Sequence, residues 1–567
     1  MDIVRRMNIL GISYNYHDAA ACLVRDGVPI AAAEEERFTR RKHDSRFPEQ
    51  AIKYCLAEGG MEPSELECVV FYEKPAQKLE RLLQIGKAFM PASAADVAKK
   101  FPKIVKEGLR VSHQLRQRVD FDGKVYFCEH HMSHAASAFF ASPFDDAAVL
   151  TVDGVGEWST CTQFVGHGQR LEKLREIHYP DSLGLLYSTL TAFLGFQVND
   201  DEYKVMGLAA YGQPRFKPQI EEFITLFEDG GFALNLAYFS YMYDSHAMYA
   251  EAMTELLGPP RRRDEPIDQR HRDIAASLQA VTQDAMVGLA RSCRKITGQR
   301  NLCLAGGLAY NCVANSQVVG RCGFDQVFIQ PAAGDNGAAL GAALWAYHEV
   351  YNMPRGHRGY HTLLGPQFTD EEILLSLDKF GLKSVRLSDD ELCRRTARLV
   401  YENLIIGWFQ GRMEFGPRAL GNRSIIANPC SPDMRDILNN RVKLREDFRP
   451  FAPAVVAEAA ATYFELDGPS PFMLLAPRVR PERAAQIPSV THIDGTARVQ
   501  TVSREQNPLF YRLLECFGEV SGVPMVINTS FNIRGEPIVC SPADAVMCFL
   551  GTDIDFLVIG NFLVSKA

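Results

Sequence analysis

The stretch from Asn8 to Ala33, NILGISYNYHDAAACLVRDGVPIAAA, carries the pattern that decides the fold. Short apolar runs broken by polar and glycine positions read as strand (Asn8 to Ser13), polar loop (Tyr14 to Asp18), strand (Ala20 to Arg25), an Asp26-Gly27 turn and strand (Pro29 to Ala33). The same order recurs at Ala148 to Val152, a loop over Asp153 to Glu157, Ser159 to Val165, a Gly166-His167-Gly168 turn and Leu171 to Ile177. Two such meanders, each followed by helical sequence, predict an α/β scaffold built by duplication.

A cleft between the halves is then the expected nucleotide site, held by the turns after the first strand of each half, as in actin-like and sugar-kinase-like ATPases. Chemistry-bearing residues fall at these places. His130, His131 and His134 open a small-residue helix, and His130 and His134, four apart, share one face, where their imidazoles can close on one divalent cation. Asp153 follows the apolar run AAVLTV and is expected at a strand end, with Gly154 and Gly156 letting a phosphate approach. Asn301 to Ala305 reads as a strand entering Gly306-Gly307, with Asn311 and Asn315 one helical turn apart, beside which a nucleoside fits. A third strand leads through Gly334 to Asp335, placed to supply a second metal carboxylate, and into an alanine-rich helix. The residues alone leave open that these histidines cap a helix or sit in the core.

Composition narrows the classes. With 567 residues and 47% apolar content, two or three domains and a soluble globular protein are expected. A net charge of -8 with dispersed basic residues argues against bulk binding to nucleic acid. Fourteen cysteines without a Cys-x-x-Cys pair indicate neither a zinc ribbon nor a disulfide framework, so a reducing cytoplasm is the expected location. No run approaches a membrane-spanning length.

Proline and glycine over Tyr351 to Phe368 mark a linker, and a boundary is drawn at 355/356. Beyond it, GRMEFGPRALGNRS (411–424), Lys443, Arg445 and Arg449-Pro-Phe-Ala-Pro set arginines beside exposed backbone, which suits an anion, although pairing with Glu446 and Asp447 is an alternative. Met525-Val-Ile enters Asn528-Thr529-Ser530-Phe531-Asn532, either an anion pocket or an ordinary turn.

Together these motifs resemble the O-carbamoyltransferases of the nodulation-protein-U and tobramycin-carbamoyltransferase type. The likeness rests on His17-Asp18-Ala-Ala, Glu34-Glu-Glu-Arg37-Phe-Thr-Arg-Arg-Lys42-His43, His130-His-Met-Ser-His134, Asp153-Gly, Lys204-Val-Met-Gly207, Ala305-Gly-Gly307, Gly416-Pro-Arg418-Ala-Leu-Gly421, Arg449-Pro-Phe-Ala-Pro and Asn528-Thr-Ser-Phe-Asn532. It implies a duplicated actin-like (ASKHA, ribonuclease-H-like) N-terminal domain, 1–355, and a YrdC-like α/β C-terminal domain, 356–567. The implied reaction joins the carbamoyl group of carbamoyl phosphate to ATP as carbamoyl-adenylate, then transfers it to a hydroxyl of a natural product, toxin or sugar. By the same resemblance Arg418, Arg423, Lys443, Arg449, Arg498, Asn528 and Ser530 grip carbamoyl phosphate and ATP. His130, His134, Asp153 and Asp335 hold Fe2+, with Mn2+ or Mg2+ as alternatives, and Lys204, Gly207, Gly306, Gly307 and Asn311 line the adenylate. His17 is the expected general base, since an alcohol attacking a carbonyl must lose its proton; a structural role beside Asp18 is the alternative.

The run Asn199-Asp-Asp-Glu-Tyr203 before Lys204 departs from relatives that carry glycine beside the lysine. Acceptor recognition is expected in the basic-amphipathic helical stretch 74–118 and the aromatic, acidic stretch 227–264, where Tyr238, Phe239, Tyr241 and Tyr243 stack on an acceptor or pack in the core. A homodimer is compatible with the likeness. The competing functions are threonylcarbamoyl-type transfer to transfer RNA, which an acidic chain without an appended RNA-binding module disfavours, and a non-catalytic nucleotide-binding switch, which needs no basic anion pocket.

Overall fold

The computed structural model describes residues 6–244 and 247–566, so residues 245 and 246 of the aromatic stretch lie outside the described residues. The chain divides into two compact units, Met1–Glu35 with His43–Tyr360, and Glu36–Lys42 with His361–Ala567. This partition differs from a single cut at 355/356 in its boundary and in assigning residues 36–42 to the second unit.

In the first unit β1 (Asn8–Ser13), β2 (Ala20–Arg25) and β3 (Val28–Glu34) form an antiparallel meander, and β4 (Cys68–Phe71) and β5 (Lys124–Phe127) extend it in parallel beyond β1. The sheet order is β3-β2-β1-β4-β5. A second meander, β6 (Asp146–Val152), β7 (Ser159–His167) and β8 (Arg170–His178), precedes a small ribbon of β9 (Ile224–Leu226) and β10 (Phe232–Leu234). With β11 (Asn301–Ala305) and β12 (Gln326–Ile329), parallel to β6 and to each other, the second sheet runs β12-β11-β6-β7-β8. Counted outward from β1 and from β6, order and polarity are identical, so the expected duplication is present.

The turn of the second meander falls later than expected. Gly166 and His167 belong to β7, and the chain reverses at Gly168, with φ +55°. Gly166 is glycine for packing rather than turning, because a Cβ there would lie 2.5 Å from the Phe139 ring. β1 is buried along its whole length. Part of its cover is the helix Asp335–Trp345, whose backbone comes so near that a Cβ on Gly11 would meet the Ala339 carbonyl at 1.8 Å. The same helix crosses the helix His130–Phe139 at Gly341, where a Cβ would lie 1.7 Å from the Ser133 carbonyl. Small residues at these crossings set how closely the two helices approach.

The second unit is built on one mixed sheet of β13 (Ser384–Arg386), β14 (Ile406–Phe409), β15 (Arg423–Ala427), β16 (Ala452–Val456), β17 (Gln500–Val502), β18 (Met525–Ser530), β19 (Phe556–Ile559) and β20 (Phe562–Ser565), ordered β13-β20-β19-β14-β15-β18-β16-β17. Side chains alternate between its faces: Phe409, Ile425 and Ile527 pack in one core, Trp408, Ile426 and Val526 in the other. Residues 36–42 join this unit through Phe38, packed on Met413, Ala419, Ile538 and Cys540. Arg37 donates to the Gly416 carbonyl at 2.9 Å, and Arg40 to those of Ile538 and Pro537 at 2.7 and 2.8 Å. No helix among the described residues is long and apolar enough to cross a membrane.

Candidate active site

Four predicted metal ligands converge in the first unit. His130 and His134 come from the first turns of one helix, Asp153 follows β6, and Asp335 opens the helix Asp335–Trp345. His130 Nε2 lies 3.1 Å from Asp153 Oδ2 and 3.7 Å from Asp335 Oδ1; His134 Nε2 lies 3.1 Å from His130 Nε2 and 3.6 Å from Asp335 Oδ1. All four donor atoms fall within 4.8 Å of one another. Donors bound at about 2.0–2.2 Å to one ion sit roughly 3–3.5 Å apart, so the set of two imidazoles and two carboxylates fits a divalent cation. Asp153 is oriented by the Gly307 N–H at 2.8 Å, and Tyr72 Oη approaches Asp335 at 3.5 Å.

The electrostatics follow from this packing. Burial pulls the His130 imidazole down, but the hydrogen bond it donates to Asp153 and the nearby Asp335 outweigh it and raise its pKa to about 9. Burial pushes the Asp153 carboxyl up, yet the facing imidazoles hold it well below the usual range. His131 turns away, with its Nδ1 2.7 Å from Thr151 Oγ1, and burial lowers its pKa; it is the core histidine of the cluster. Glu157 accepts the His130 N–H at 3.0 Å and the Lys74 N–H at 2.7 Å, fixing the start of the ligand-bearing helix. Its nearness to His130 is tertiary, which is why the motif containing it did not disclose that role.

His17 sits in the loop after β1 and donates from Nδ1 to Asp18 Oδ2 at 2.9 Å. The other Asp18 oxygen accepts from His43 Nδ1 at 2.6 Å, and His43 Nε2 reaches Asp200 at 3.1 Å. Asp18 and His43 both have positive φ, +52° and +55°, a strained conformation common at functional loops. Burial lowers the His17 pKa, but Asp18, then Asp335 and Asp153, raise it to about 9. Asp18 is pushed up by burial and held well below the usual carboxylate range by His17 and His43.

The expected adenylate-lining residues divide. Gly306 has φ +90°, and a Cβ there would strike the Val152 carbonyl at 2.3 Å, so only glycine brings this turn against β6; Gly307 is exposed beside Asp153. Lys204 pairs with Asp201 at 2.7 Å on the helix Glu202–Ala209, which also holds half-buried Gly207. Asn311 is buried and tied into the local structure. Its Oδ1 caps the helix Cys312–Arg321 through the Ala314 N–H, and its amide exchanges two 3.0 Å bonds with Gln279.

In the second unit the Arg423 side chain is wholly buried, donates to the carbonyls of Gln410, Gly411, Asn422 and Pro366 and stacks 3.7 Å from the Phe409 centroid, bracing the loop. Lys443 and Ser530 are brought together: Lys443 Nζ donates to the Ser530 carbonyl and, at 2.9 Å, to Asn532 Oδ1. Burial, with Arg445 and Arg449 nearby, lowers the Lys443 pKa well below its ordinary value. Asn528 donates to Gln500 Oε1 at 2.7 Å and to the Ala419 carbonyl at 3.2 Å, tying β18 to the 411–424 loop. Arg418 and Arg498 are half-buried, and Arg449 lies 3.7 Å from Glu446. Glu414 is buried and accepts from the N–H groups of Leu420 and Asn422 at 2.6 and 2.8 Å, so this loop winds around a carboxylate of its own.

Comparison with known proteins gives these sites their class. Residues 8–344 match the family described as carbamoyltransferase N-terminus, and residues 397–566 match carbamoyltransferase C-terminus. The chain is 46% identical to the uncharacterised protein sll1178 of Synechocystis sp., across 99% of this chain and 97% of that one. It is 39% identical to nodulation protein NolNO of Sinorhizobium fredii, over 97% of this chain and 79% of that one. To 3'-hydroxymethylcephem-O-carbamoyltransferase of Amycolatopsis lactamdurans the identity is 30%, over 78% and 81%. The chain belongs to the carbamoyltransferase family, in the branch that includes the nodulation proteins and O-carbamoyltransferases, and is an enzyme.

Proposed function

We propose that the protein is an ATP-dependent O-carbamoyltransferase acting on a hydroxyl of a small molecule. The observation that carries this reading is the convergence of His130, His134, Asp153 and Asp335 within 4.8 Å, in the unit that also holds the Asp18-oriented His17. The second unit is read as YrdC-like. There carbamoyl phosphate loses phosphate to water, and the carbamate formed attacks the α-phosphate of ATP, giving carbamoyl-adenylate and pyrophosphate. Arg418, Lys443, Arg449, Arg498, Asn528 and Ser530 are its proposed anion-binding residues, with cationic and amide donors offsetting charge on the phosphoryl oxygens.

In the first unit the acceptor oxygen attacks the carbamoyl carbon, the bond to the adenylate phosphate breaks, and the products are the carbamate ester and AMP. His17 Nε2 takes the acceptor proton, while Asp18 on Nδ1 holds the ring and stabilises its protonated form. Lys204, Gly207, Gly306 and Gly307 are proposed to flank the adenylate. A divalent cation held by His130, His134, Asp153 and Asp335 supplies Lewis-acid stabilisation of developing oxyanion charge when bound.

The test supplies [14C]carbamoyl phosphate, ATP, divalent metal and a panel of polyhydroxylated small molecules. Label in an alkali-labile ester with matching AMP release is expected; ADP release, or label on no acceptor, contradicts the reading.

A further inference from the structure

Beside the loop that carries His17, the first unit has a half-open cavity of about 790 Å³. Its lining draws on both stretches that no motif explains: the helices Pro75–Ala88 and Ala94–Lys103, and the aromatic segment around Tyr241 and Met242. Tyr16 and Val155 also line it, so the cavity reaches the neighbours of His17 and Asp153; the rings of Tyr16 and His17 lie 4.5 Å apart. This volume is in the range of pockets that bury small organic ligands.

The charged lining is unevenly satisfied. Lys78 pairs with Glu73 at 2.8 Å and Asp96 with Lys100 at 2.7 Å. Arg81 forms neither an ion pair nor a hydrogen bond among the described residues, and its Nη1 is out of solvent. Its guanidinium lies over Tyr179, 5.0 Å from the centroid, and Tyr179 meets Tyr241 at 6.0 Å. Burial lowers the Arg81 pKa, against the opposing pull of Tyr179, Glu73 and Glu157, none of which pairs with it directly. A stacked guanidinium with open donors is suited to a planar oxyanion, and aromatic neighbours to a ring face.

We propose that this cavity receives the hydroxyl acceptor, and that the acceptor carries an oxyanion, carboxylate or phosphate, bound by Arg81, on a ring-bearing body packed against Tyr179 and Tyr241. The acceptor is therefore an acidic, ring-containing hydroxyl compound. The inference rests on the O-carbamoyltransferase reading for the fate of the hydroxyl, but its test does not. Binding of phenyl β-D-glucuronide and of phenyl β-D-glucoside 6-phosphate is compared with that of neutral phenyl β-D-glucoside by calorimetry on the full chain, without ATP or carbamoyl phosphate.

At least one acidic probe is expected to bind about tenfold tighter than the neutral one, and which of them does identifies the oxyanion. Arg81→Met is expected to remove the preference and, unliganded, to melt no lower than wild type, since it relieves an unpartnered cation. Equal binding of all probes, a preference that survives in Arg81→Met, or a variant that melts several degrees lower would each overturn the proposal. Should acidic probes bind as expected while no carbamoyl-adenylate forms, the reaction reading alone fails.

Discussion

At the scale of single residues, His17 and the metal ligands are separable. His17→Asn is expected to slow transfer from preformed carbamoyl-adenylate about 10²–10⁴-fold, measured by acceptor product. Because Asp18 helps raise the His17 pKa to about 9, its basic form is scarce at pH 7 and the wild-type transfer rate should climb towards pH 9. Asp18→Asn removes that pull, so the rising limb of the pH profile should move to lower pH; an unmoved limb would mean another group titrates. Replacing both His130 and His134 with alanine is expected to abolish stoichiometric metal, read by elemental mass spectrometry. The convergence of His130, His134, Asp153 and Asp335 was legible because helical spacing of four and a carboxylate at a strand end are local properties. The structural contacts of Arg423 and Asn311 were not, since burial against Phe409 and the amide pair with Gln279 exist only once distant segments meet.

At the scale of elements, the meanders were legible because each strand is a short apolar run with a polar or glycine break at its end. The second turn was misplaced because glycine has two uses: Gly168 takes the positive φ, whereas Gly166 leaves room for Phe139. Gly341 shows the second use at the site itself. Its substitution by alanine places a methyl 1.7 Å from the Ser133 carbonyl, so the helices bearing Asp335 and the two histidines must separate. Gly341→Ala is expected to cost about 1–3 kcal/mol in denaturant unfolding and to weaken metal binding in the same protein. Unchanged metal affinity would show that the four ligands tolerate a shifted crossing.

At the scale of the whole molecule, the duplicated first unit could be foreseen from a repeat in the sequence, while the partition of residues 36–42 could not. Phe38, Arg37 and Arg40 sit in the second unit through contacts with Met413, Gly416 and Ile538, and nothing in the local pattern of that segment signals partners hundreds of residues away. The eight-stranded sheet was only partly visible, because several of its strands are three to five residues long and both faces are covered, which removes the alternation that marks a half-exposed strand. The division of labour proposed for the two units stands or falls on whether the chain makes an activated carbamoyl nucleotide. The most direct measurement is mass spectrometry of the metal-loaded protein with ATP and carbamoyl phosphate in the absence of acceptor. Carbamoyl-adenylate and pyrophosphate in equal amounts are expected; intact ATP, or ADP with phosphate, from folded and metal-loaded protein would contradict the account.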